Sequence, residues 1–107
     1  MSSLTAKAVA VATAREAAMS DVNWGRIPER MRGGIERYIN HGVPPGDFLT
    51  AVICNDLRDA CGRADDENRY LLWDYVLFFH NEAPSSCWGS PEKMRAWISL
   101  FDREDRV

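Results

Sequence analysis

The chain has 107 residues, 46% of them apolar and 27% charged, with a formal charge of −3 at neutral pH. That length holds one domain around one core, and the composition is that of a globular protein rather than a disordered one. The mildly acidic balance argues against general binding to nucleic acid or anionic membranes, which calls for a basic field, and it is too mild for a mimic of DNA.

Residues 1–22 are alanine-rich, with Leu4, Ala8, Val11 and Ala18 spaced as a weak helical stripe. Alanine favours the helix but buries little area, so the spacing predicts a peripheral helix and connector beside a core domain over residues 23–102. Lys7, Arg15 and Glu16 interrupt the apolar run, which does not read as a signal peptide. Nowhere does the chain approach the ~20 apolar residues of a membrane span. Pro28 suits the first turn of the next helix. Met31, Ile35, Tyr38 and Ile39 follow at helical spacing, and Gly42 with Pro44-Pro45-Gly46 ends the run.

A second helix is expected from Asp47 to about Ala64, its apolar face formed by Phe48, Leu49, Val52, Ile53, Leu57, Ala60 and Cys61. Asp65 or Asp66 would cap a third. From Tyr70 to Phe79 that third helix is apolar nearly all round. It must therefore lie at the centre of the bundle or partly against another chain. Ser90-Pro91-Glu92 opens a fourth helix with a cap, a proline and a carboxylate, and Met94, Trp97, Ile98 and Phe101 form its inner stripe. Residues 103–107 read as a charged tail. The expected fold is all-α, a compact four-helix bundle with an additional peripheral N-terminal helix.

An up-and-down bundle would bring the first and third loops to one end. Asn40, His41, Ser85, Ser86, Trp88 and Ser90 would then meet beside two helix N-termini, which attract anions such as phosphate, with Trp88 free to stack on a base. The plainer reading makes Ser90 a cap and Trp88 a seal on the bundle end. A second candidate surface is Tyr70, Trp73 and Leu77 on the third helix, as an interface with another chain. Three cysteines form an odd, sparse set, Cys54 and Cys61 being expected on the core face. With the two histidines they lack the spacing of a metal site, and nothing orients a nucleophile. No cofactor, metal or catalytic residue is therefore expected. Arg26, Arg30, Arg32 and Arg37 make the first helix locally basic, but Pro44-Pro45 spoils the tight turn of a helix-turn-helix.

The segments Ile27-Pro28-Glu29-Arg30-Met31, Tyr38-Ile39-Asn40-His41-Gly42, Gly46-Asp47-Phe48-Leu49, Asn55-Asp56-Leu57, Ala64-Asp65-Asp66-Glu67-Asn68 and Cys87-Trp88-Gly89-Ser90-Pro91 resemble a family of short phage and prophage accessory proteins. The resemblance runs roughly from Trp24 to Ile98. It carries no catalytic residues. It implies an accessory role in the cytoplasm of a bacterial host, and by analogy a counter-defence protein that blocks a host defence protein by contact, as anti-CRISPR proteins do. Two other expectations stand beside it. One is a sponge for a cyclic or NAD-derived nucleotide at the two-loop end; the other is a structural or regulatory homodimer through the third helix.

Overall fold

The structure, a computed structural model, describes residues 22–105 of the chain, with side chains as far as Asp102. The alanine-rich helix expected over residues 1–22 lies, apart from Val22, outside the described residues. Five α-helices and two 3₁₀ turns make up the rest, with no strand among the described residues, so the expected all-α fold is observed.

Helix α1 (Glu29–His41) starts directly behind Pro28 and buries Ile35, Tyr38 and Ile39 completely. It ends where Gly42 turns left-handed at φ 67 and donates its N–H to Tyr38 O at 2.9 Å. This position requires glycine twice over. The left-handed conformation disfavours a Cβ, and a Cβ here would lie 2.5 Å from Cδ2 of Phe101.

The expected second helix is two helices, α2 (Asp47–Ile53) and α3 (Leu57–Arg63). Asn55 breaks it at φ 61, and Asp56 then caps α3 by accepting the Asp59 N–H at 3.0 Å. Asparagine tolerates the left-handed region and aspartate is a preferred N-cap. The change of direction turns Leu57 and Cys61 outward, against the expectation of a continuous apolar face, while Cys54 stays half-buried. Of α3 only Ala60 is buried.

Asp65 caps a 3₁₀ turn (Asn68–Tyr70), not the next helix, by accepting the Asn68 N–H at 2.8 Å. Asn68 is buried there and accepts the Tyr75 hydroxyl at 2.6 Å. Helix α4 (Leu72–Glu82) follows, leaving Tyr70 outside the helix that sequence assigned it to. Its inner face, Tyr75, Phe78 and Phe79, lies in an aromatic cluster: Trp24 stacks on Phe78, Phe48 meets Tyr75 edge-on, and Trp88 tilts against Phe79. A second 3₁₀ turn (Ser85–Cys87) leads to α5 (Pro91–Asp105), which extends into the expected tail. Ser90 caps it as expected, accepting the Lys93 N–H at 3.1 Å. Met94, Trp97 and Phe101 are buried.

Tyr38 ties three of these elements together. Its hydroxyl donates to Cys87 O at 2.6 Å, and its carbonyl, with that of Ile39, accepts the Trp97 indole N–H at 3.2 Å. The left-handed turn and the Phe101 contact give a direct test of the α1–α5 packing. Gly42→Ala should lower unfolding stability by about 2–4 kcal/mol in denaturant titration, combining the cost of a left-handed alanine with overpacking. An unchanged midpoint would contradict the close approach.

Candidate functional site

The two-loop site does not assemble. Gly42 in the first loop lies against Phe101, whereas the third loop joins α5 at its start and returns to α2, Gly89 N–H donating to Ile53 O at 2.7 Å. From Pro91 to Phe101 is about 15 Å of helix at roughly 1.5 Å per residue. The cause is the break at Asn55. A short α2 brings its C-terminal end, not the first loop, to the third loop.

The residues expected in that site are accordingly dispersed. Asn40 is buried, with its Oδ1 lacking a hydrogen-bond donor, while His41 beside it is exposed. Ser85 and Ser86 are exposed, Ser90 is occupied as a cap, and Trp88 packs on Phe79 with ring centroids 5.8 Å apart. Trp88 is the seal of the plainer reading. Among the described residues no three His, Cys, Asp or Glu side chains gather as a metal would need.

The polar groups with shifted acidities are committed to holding the fold. Burial raises the pKa of Tyr38 and of Tyr75, keeping both hydroxyls protonated as donors. The Cys54 thiol, raised chiefly by burial, donates to Met94 Sδ at 3.6 Å. The Asn68 N–H first, and then the Arg30 guanidinium, hold the Asp65 carboxyl below its ordinary range. Arg30 bridges Asp65 at 2.8 Å and Glu67 at 2.9 Å, pinning the 63–70 connection to α1. Asp56 caps α3, and Asn68 serves Tyr75.

The remaining candidates are large apolar and aromatic side chains left exposed. Tyr70 is 75% exposed, Trp73 73%, Leu57 68%, Val76 42% and Leu77 38%. Trp73 and Leu77 are one turn apart on α4 and share a side. Val76 and Leu72, on the adjoining side, face Leu57 and Ala60 of α3 across a groove of about 40 Å³ floored by Ala51 and Val52. Asn55 and Asp56 form its polar end. Sequence reasoning located Tyr70, Trp73 and Leu77 but missed Leu57, Val76 and the groove. The overlooked signal was Asn55-Asp56, a left-handed residue followed by a cap.

Comparison with family models, with characterised proteins and with solved structures returned no match.

Because the groove depends on the turn at Asn55, Asn55→Gly should preserve stability, whereas Asn55→Val should cost about 1–2 kcal/mol, the price of a left-handed branched residue. Chemical denaturation of the two variants checks this. Equal stability of the valine variant would place the break elsewhere.

Proposed function

We propose that this chain is a non-enzymatic binding protein that receives a protein partner on the apolar surface formed by Leu57, Tyr70, Trp73 and Val76. The observation that carries this reading is Trp73, a large aromatic left 73% exposed next to an apolar groove. Tryptophan and tyrosine supply much of the energy at interface centres, and clustered exposed apolar side chains mark interaction sites where scattered ones do not. The groove admits little more than the tip of one side chain, which suits an anchor residue from a partner better than a metabolite.

The kind of partner is suggested by the resemblance to short phage and prophage proteins. A host defence protein of the bacterial cytoplasm, blocked by contact, is the reading we adopt. A homodimer would use the same surface. A nucleotide sponge draws less support, since Trp88 and Ser90 are occupied within the fold.

The test is capture of the host target from bacterial lysate, followed by titration of the purified target against the chain and its Trp73→Ala variant. Affinity should fall by at least about 30-fold, corresponding to roughly 2 kcal/mol at a hot spot, with the far-ultraviolet dichroism unchanged. Undiminished affinity in a Leu57→Ala/Trp73→Ala variant would put the partner on another face.

A further inference from the structure

The groove between α3 and α4 is apolar along its sides and polar at one end. Among the described residues that line it, Asp56 alone carries a charge. Only half of that carboxylate is engaged. Its Oδ1 accepts the Asp59 N–H at 3.0 Å as the cap of α3, whereas Oδ2 has neither a hydrogen bond nor an ion pair among the described residues. Asp56 is exposed.

The cations nearest in sequence do not answer this charge. Arg63 is held at 3.1 Å by both Asp47 and Asp59. Arg69 lies 3.9 Å from Asp66, its guanidinium 5.0 Å over the Tyr70 ring. Arg58 sits roughly 130° round α3 from the side that presents Leu57 and Ala60 to the groove. The groove mouth therefore joins exposed aliphatic surface, from Leu57 and Val76, to one negative charge that the described residues leave uncompensated. An aliphatic anchor alone satisfies the first feature, and a carboxylate beside it would be repelled by the second. Opposite charges across an interface fix register and the choice of partner.

We infer that the partner places one aliphatic side chain in the groove and, beside it, a lysine or arginine that Asp56 receives. This preference for a basic segment rests on the reading of the surface as a binding site, and experiment separates the two.

The probes are two synthetic amphipathic helical peptides of equal length. Both carry the same leucine stripe, with either lysine or glutamate at the remaining positions. Each is titrated into the full-length chain while the methyl resonances of Leu57 and Val76 are followed. The leucine–lysine peptide should move both. Asp56→Asn should weaken its binding about five-fold, the upper end for an exposed ion pair. Asparagine caps a helix as well as aspartate does, so the unfolding midpoint should hold. Asp56→Ser, another good cap, supplies a second neutral variant should the first lose stability. Glu36→Gln removes the same charge from α1 and should weaken binding much less, because salt screens distant charges.

Equal losses in the Asp56 and Glu36 variants, or equally tight binding of the leucine–glutamate peptide, would overturn the inference and leave the apolar surface standing. Leu57 and Val76 resonances that neither peptide moves would overturn both. Resonances that move with protein concentration alone would assign the groove to a second copy, which also overturns the basic partner.

Discussion

Helix α4 carries apolar side chains around nearly its whole circumference, and the described residues folded against it cover only part of them. Tyr75, Phe78 and Phe79 take the inner positions and anchor the core, together with Phe48, Trp24 and Trp88. Trp73, Val76 and Leu77 are left on the outside. Periodicity makes this unavoidable. A helix places successive residues about 100° apart, so a run interrupted before His80 only by Asp74 cannot turn every apolar member inward. A larger protein would add helices to enclose the remainder. Among the described residues the outer side stays open, and the functional reading follows from that.

The position of α4 is set by polar contacts, some buried and some half-exposed. The Tyr75 hydroxyl on Asn68 fixes the start of the helix to the connection before it, and Arg30 fixes that connection to α1 through Asp65 and Glu67. At the other side Tyr38 joins α1 to the third loop and to α5. The pairs involving Arg30 are half-exposed and contribute little individually. The buried hydroxyl bonds matter more, because losing either partner would leave a polar atom without water or protein to satisfy it. Burial in the same core raises the pKa of both tyrosines and of the Cys54 thiol.

Features with a local cause were readable in sequence. The start after Pro28, the left-handed stop at Gly42 and the Ser90 cap on α5 each depend on a few neighbouring residues, and each is found in place. The surplus on α4 was readable too, since it is a property of one helix, and Trp73 and Leu77 are exposed accordingly. Misreadings arose where two local signals competed. Val52, Ile53, Leu57, Ala60 and Cys61 continue a helical stripe through Asn55-Asp56, yet the turn and cap prevail, which splits the helix and sends Leu57 out. The meeting of two loops was inferred from an up-and-down bundle of unbroken helices. Once α2 ends at Ile53, its end rather than the first loop meets Gly89. The groove beside Leu57 is a tertiary consequence of the same break.

The central claim is that the surface around Leu57 and Val76 serves binding rather than folding. Unfolding free energy of Leu57→Ser/Val76→Ser in guanidinium tests it most directly. The account predicts a change within about 1 kcal/mol, as for surface substitutions. A loss of about 3 kcal/mol or more, the scale of truncating core side chains, would show that these residues belong to the core and contradict the account.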